Sequence, residues 1–322
     1  DHQAAAAQDL SSKIDALGLK VLCLQPLRHF EGLLDEEARQ ARFTEALALF
    51  RVMLILKTDL LLIPSSFLPA HEISPDAARI AADLRDLADL AASVAPHLRI
   101  GYEALAWGTH VDTWQAAWAV VQRVARANAG LVLDSFNLLA RVYADPTRAS
   151  GVCAGDADAA LRASLAELVA AVPPHSIFLL QIADAARAAP SEVASAPLPR
   201  LAWSRTRRLF PGERARGAYL PVVPFMHAVV SRLGCSLAWS LEYFNADLEC
   251  TEDGEAAAKE LARRGMKGLR WLWDAVVAEE EGRGEVVGGG SCGVAVRSPL
   301  RQSSMTDCSR RCLPHIRARR YE

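Results

Sequence analysis

Apolar runs that stop on one polar side chain recur along this sequence. LRIGYE ends on Glu103, GLVLD on Asp134, SIFLLQ on Gln181 and SLAWSLE on Glu242. Around these runs the apolar spacing turns helical, recurring at i, i+3 or i+4, and i+7. The pattern predicts helices over 3–17, over 35–57 with Phe43, Leu47, Phe50 and Leu54 on one face, and over 113–128 with Trp114, Trp118 and Val121 inward. Ser74 as N-cap, with Pro75 in the first turn, opens another helix with Ile80, Leu84, Leu87 and Val94 as its stripe. Further helices are expected over 157–171, 225–233 and 255–280, the last with Leu261, Leu269, Leu272 and Val276 inward. Strands are expected at 20–25, 59–63, 98–103, 130–134, 176–181 and 236–242, with a weaker one near Tyr219. After Asp134, LLARVYADPTRASGVCAG reads as a long loop, a kind of segment that usually carries function. Residues 190–221 read as an irregular, proline-rich stretch with the basic cluster WSRTRRLFPGERARG.

Strands alternating with helices imply a parallel sheet, and the repeat implies an α/β chain folded as a (β/α)8 TIM barrel. The strand count is one short, and the chain begins with Asp1 rather than Met, so the first strand is expected to lie before residue 1. The barrel should occupy 1–280, and 281–322, rich in Gly, Ser and Arg without apolar periodicity, should be a disordered tail. In such a barrel the strand C-termini and the loops after them build the active site, so the four run-ends can converge. Two Glu, one Asp and one Gln amide are hard oxygen donors, suited to Mg or Mn. Any one of them could be the ordinary polar end of a buried strand; four in register carry more weight.

With 322 residues, 51% of them hydrophobic, the chain is long enough for one large core. Its net charge of -2 hides an asymmetry: 297–322 holds seven Arg against Asp307 and Glu322, which leaves the preceding part at about -7. So acidic a barrel is not built for nucleic acid. Seven dispersed cysteines without a CxxC pair point to a reducing compartment, read here as the cytoplasm. No run nears 18 uninterrupted apolar residues, and the first residues do not look like a signal peptide, so no membrane role is expected. Cys308, Cys312 and His315 match no standard zinc spacing.

Several stretches then carry a resemblance: VLCLQPLRHFEGL, TDLLLIPSSFLP, YEALAWGTHVDTWQAAWAVVQRV, LVLDSFNLLARVYADPTRASG, FLLQIADA, WSRTRRLFPGERARGAYLPV and WSLEYFN. With them the chain resembles the 3-dehydroshikimate dehydratases of quinate and shikimate catabolism, the fungal type above all, within the xylose isomerase-like sugar isomerase/epimerase superfamily of TIM barrels. The resemblance implies a divalent metal held by Glu103, Asp134, Gln181 and Glu242, acting on 3-dehydroshikimate to give protocatechuate and water. It also implies that Arg28, Ser204 and Arg208 hold the substrate carboxylate and hydroxyls, whereas Arg205 and Arg207 read as solvated surface. Where related enzymes place a His three residues after the metal-binding Asp, this chain has Asn137, and an amide takes no proton at neutral pH. His71, after PSSFLP, is the substitute base. His29, His110, His175 and His227 are read as structural.

Two other functions fit the same residues. One is a sugar or hydroxy-acid isomerase or epimerase with Glu103 and Glu242 as an acid–base pair across the metal. The other is a non-catalytic remnant that binds ligand without turnover, to which Asn137 and the short strand count give support. A DNA-repair nuclease on this barrel would need a basic surface and added His ligands that the sequence lacks.

Overall fold

The structure, a computed structural model, describes residues 2–249 and 254–284. In chain order the elements are α1 (His2–Ala16), α2 (Glu36–Leu56), β1 (Leu60–Pro64), α3 (Ala77–Val94), β2 (Arg99–Glu103), α4 (Trp114–Val124), β3 (Ala129–Asp134), α5 (Ser135–Val142), α6 (Ala157–Ala171), β4 (Ile177–Ile182), β5 (Asp184–Ala185), α7 (Pro190–Val193), α8 (Pro199–Arg207), β6 (Arg208–Leu209), α9 (Val222–Met226), β7 (Trp239–Leu241) and α10 (Gly254–Gly284). After α9 the chain continues as a π-helical stretch, His227–Arg232. Strands β1-β2-β3-β4-β7 form one parallel sheet in that order, while β5 and β6 pair antiparallel over two residues each. The sheet curls as half of a barrel.

Period-two alternation divides its apolar residues between two layers. Leu61, Ile63, Ile100, Tyr102, Leu131, Leu133, Leu180 and Ile182 belong to the large core shared with the helices. Leu60, Leu62, Val132, Phe178 and Leu179 make a smaller cluster on the concave side. Phe178 and Leu179 are adjacent in sequence yet share that cluster. The cause is a register shift between β3 and β4: Leu131 pairs with Ile177, but Val132 pairs with Leu179, so Phe178 is the extra residue of a bulge. Past the bulge Leu133 pairs with Leu180 and Asp134 with Gln181.

Eight strands are not reached among the described residues. The expected strand at 20–25 runs beside β1 but makes only the single parallel bridge Leu24–Leu61, with Leu24 N–H donating to Leu60 O at 2.8 Å and Leu62 N–H to Leu24 O at 3.0 Å. Pro26 has no N–H to extend the ladder, which resumes only with Leu27 N–H donating to Leu62 O at 3.0 Å. The strand expected at 236–242 shrinks to three half-buried residues paired on one side, to β4. The weak strand near Tyr219 is an isolated bridge, Ala186–Ala218. Residues 2–16 are helical, so they supply no barrel strand.

Other expectations shift in ways local physics explains. Asp76, not Ser74, caps α3, its carboxylate accepting from Ala78 N–H; Ser74 Oγ instead accepts from Asp76 N–H. The buried stripe of α2 is Ala46, Phe50, Met53 and Leu56 rather than the face through Leu54, which is exposed; an apolar helix also packed by α1 can present more than one face. In α4, Trp118 is only partly buried and Ala117, Val120 and Val124 join Trp114 and Val121. The segment after Asp134 opens as helix α5 rather than loop, with the Asp134 carboxylate accepting from Phe136 N–H as its cap. The proline-rich 190–221 contains α8, which carries the basic cluster. Helix α10 runs past the expected end at 280; Leu272 and Val276 are buried, Leu261 and Leu269 half-buried. The expected tail beyond Gly284 lies outside the described residues, with Cys308, Cys312 and His315. No described helix is long and apolar enough to cross a membrane.

Candidate active site

Glu103, Asp134 and Gln181 occupy the C-terminal ends of β2, β3 and β4, and Glu242 follows β7. Glu103 pairs with Val132, two residues before Asp134, so strand alternation puts both carboxylates on the concave face. Asp134 is directly opposite Gln181, and Glu242 N–H donates to Ile182 O at 3.1 Å, which seats Glu242 beside them. One carboxylate oxygen each from Glu103, Asp134 and Glu242 lie within 4.8 Å of one another. Glu103, Asp134 and Gln181 are buried, and the Glu242 side chain is 16% exposed. The structure therefore brings together all four residues singled out at the strand ends.

Three clustered carboxylates repel, and two neighbours hold them in place. Asn137 Nδ2 donates to Glu103 Oε1 and to Asp134 Oδ2, each at 2.9 Å, while its Oδ1 accepts from Ala106 N–H at 3.1 Å. Arg208 Nη1 donates to Asp134 Oδ2 and to Glu242 Oε2, each at 2.7 Å. Burial, then Glu242 and Asp134, push the Glu103 carboxyl well above its ordinary range. Burial also raises Glu242, to about 7, against the opposing pull of Arg208. Gln181 Nε2 donates to Glu242 Oε1 at 2.8 Å and to Gln25 Oε1 at 3.2 Å, whereas its buried Oε1 has no hydrogen-bond partner among the described residues. A buried amide beside three carboxylates, its oxygen not otherwise engaged among the described residues, is a donor set that fits a hard divalent cation.

The residues expected around the substrate are placed differently from one another. Arg208 is 1% exposed, with its Nε donating to Ser204 Oγ at 3.1 Å and its guanidinium 4.3 Å from the Phe136 ring centroid. Ser204, fully buried, is thus the support of Arg208 rather than an open hydroxyl. Arg28 is exposed and makes no hydrogen bond or ion pair among the described residues. His71 is not brought to the acidic cluster: its side chain is 82% exposed and its ion-pair partner is Glu72, at 3.8 Å.

The loop after residue 25 holds groups the sequence did not flag. Glu31 is 3% exposed; its Oε1 accepts from Ser66 N–H at 2.7 Å and from Tyr102 OH at 2.9 Å, and its Oε2 has no partner. Burial raises this carboxyl to about 7. Glu31 so ties the loop bearing Arg28 to the end of β1 and to β2, one residue from Glu103. His29, at φ 51°, lies with Nδ1 3.3 Å from Ser66 Oγ and edge-on to Phe67. Burial and then Arg28 and Arg42 hold its pKa below the ordinary value, which keeps it neutral at pH 7. The signal in the sequence was a single Glu and a His inside PLRHFEG, beside the Arg that drew attention. His110 has a backbone neighbour, with Nε2 3.3 Å from Ile73 O.

The model of the xylose isomerase-like TIM barrel family matches residues 1–271. A 3-dehydroshikimate dehydratase of Neurospora crassa is 40% identical over 271 residues, covering 82% of this chain and 75% of that protein. A 3-dehydroshikimate dehydratase of Pseudomonas aeruginosa is 36% identical over 271 residues, 84% of this chain but 35% of that protein, so the chain spans about a third of the bacterial relative. Among solved structures, a xylose isomerase-like TIM barrel/4-hydroxyphenylpyruvate dioxygenase fusion protein superposes with a TM-score of 0.67 at 28% identity, over 88% of this chain and 38% of that one.

Proposed function

The chain belongs to the xylose isomerase-like TIM barrel family, and from that membership we propose that it is a 3-dehydroshikimate dehydratase, a hydro-lyase releasing protocatechuate and water in the cytoplasm. The observation that carries this reading is the 40% identity to the Neurospora crassa enzyme along 82% of the chain. The convergence of Glu103, Asp134, Gln181 and Glu242 supports it chemically. The catalytic domain is taken as 1–280.

The reaction removes a proton beside a ketone and expels the hydroxyl of the next carbon as water. Glu103, Asp134, Gln181 and Glu242 would hold a divalent cation, Mg or Mn by the hardness of the donors, which would supply Lewis-acid polarisation of the ketone. Asn137 positions Glu103 and Asp134 through one amide nitrogen and takes no proton. His29, neutral and half-buried on the loop that bears Arg28, replaces His71 as the candidate for proton removal. Arg28, without a hydrogen-bond or ion-pair partner among the described residues, is available to the substrate carboxylate, for which a planar guanidinium is suited.

The test is formation of the aromatic product, followed by its ultraviolet absorbance. Protein with Mg2+ or Mn2+ should convert 3-dehydroshikimate, lose the activity to a chelator and regain it on adding metal back. Glu103→Gln should weaken metal affinity, read by calorimetry, together with turnover. Metal-bound protein that isomerises a sugar and yields no aromatic product would replace this reading with the isomerase one.

A further inference from the structure

Three arginines, two in the last turn of helix α8 and one just past its end, diverge. Arg207 leaves the site: its Nη2 donates to Glu192 Oε1. Arg208 enters the acidic cluster, where Nη1 serves Asp134 and Glu242 and Nε serves Ser204. Arg205 lies in the last turn of α8, three residues before Arg208, where the chain has turned extended. Its guanidinium carbon is 4.4 Å from the Phe244 ring centroid, and that of Arg208 is 5.4 Å from the same centroid. The two guanidinium groups therefore flank one ring. Phe244 is itself fixed beside the cluster, since its carbonyl accepts from Arg208 N–H at 2.9 Å and it follows Glu242 by two residues. Arg205 is exposed and has no hydrogen bond or ion pair among the described residues; its ring contact is the cation–π stack. Desolvation, then the positive charges of Arg208 and Arg28, lower its pKa, and Glu242 and Glu103 oppose this, so Arg205 shares its field with both the Arg28 loop and the acidic cluster.

We propose that Arg205 is a substrate-binding residue of this site, which with Arg28 receives the substrate carboxylate at the rim while Arg208 stays engaged below with Asp134 and Glu242. A cation stacked on an aromatic ring is pre-oriented, so less side-chain freedom is lost when the anion arrives. A cation without a carboxylate partner has nothing to break before binding. The inference rests on the dehydratase reading and deepens it. It departs from the expectation that Arg205 is solvated surface, and keeps that expectation for Arg207.

The experiment compares wild type, Arg205→Ala, Arg205→Lys and Arg207→Ala, all metal-loaded, on 3-dehydroshikimate and on its methyl ester. Arg205→Ala should raise KM for the acid by about 10-fold or more with kcat within about 3-fold, the pattern of lost binding shared by ground and transition states. It should also narrow the preference for acid over ester; Arg205→Lys should recover part of both, and Arg207→Ala should match wild type. An unchanged KM and acid/ester ratio in Arg205→Ala overturns the inference. If wild type releases no aromatic product, the dehydratase reading fails instead; calorimetric binding of the acid, equal in wild type and Arg205→Ala or absent from both, then overturns this inference as well.

Discussion

Replacing Arg208 by Met would remove a buried charge from among three carboxylates while keeping an unbranched side chain to fill its space. The guanidinium gives hydrogen bonds of 2.7 Å to Asp134 and to Glu242 and one of 3.1 Å to Ser204, with 1% of the residue exposed. Loss of one member of such a buried network leaves the others unpaired, which costs about 3–5 kcal/mol. Urea unfolding of metal-free protein should therefore show Arg208→Met less stable by that amount. Manganese at about 1,000 times its dissociation constant adds about 4 kcal/mol of stability to any folded state that binds it. The variant should gain more than wild type at the same manganese concentration, because in wild type Asp134 and Glu242 already have a cationic partner. A loss below about 1 kcal/mol, or equal gains in both proteins, would refute the idea that Arg208 offsets part of the carboxylate charge a metal would meet.

Glu31 gives a pH dependence whose sign can be worked out. Its folded pKa of about 7 stands above the ordinary 4.5, so the folded state holds the extra proton, and the stability this provides is complete below about 4.5 and lost as pH rises through 7. The full window corresponds to roughly 3 kcal/mol at 1.36 kcal/mol per unit. Glu31→Gln should abolish that slope, read as the difference from wild type in urea midpoints at pH 5 and pH 8; parallel curves would count against it. Asn137→His would put an imidazole 3% exposed beside Glu103 and Asp134. With His29 removing the proton, kcat should stay within about 3-fold; a rise of about 100-fold, the lower part of what a positioned base contributes, would mean that His29 does not serve.

The four oxygen donors were legible because each closes a hydrophobic run, and run-ends on parallel strands share one rim. Helices 157–171 and 113 onward were legible for a similar reason, with Asp156 and Thr113 as caps at their starts. The cap of α3 was misplaced since Ser74 and Asp76 are both good caps and only the backbone decides between them. Helix α5 was missed because its first turn is capped by Asp134, a residue whose pattern already marked it as a strand end. The fate of the arginines in WSRTRRLF depends on where a short helix stops and which ring lies beside it, and neither can be read from spacing. Glu31 was invisible for a different reason: nothing in PLRHFEG distinguishes a buried Glu from a solvated one until Ser66 and Tyr102 arrive from 35 and 71 residues away.

The bulge at Phe178 governs the parity of strand β4. In a regular strand, the odd and even positions answer to opposite sides of the sheet, and Gln181 would count from Ile177 as an even step, on the helix-facing side with Ile177 itself. One surplus residue turns that count odd and delivers Gln181 to Asp134. Smoothing the bulge at full strand length, with Phe178 paired to Val132, would leave an apolar strand that still packs, since residues 177–180 are all hydrophobic. It would nonetheless put Leu180 in place of Gln181 opposite Asp134 and turn a four-donor centre into a three-donor one. The chemistry of this protein thus depends on one residue being left out of the pairing, at a place where hydrophobicity alone would accept either register.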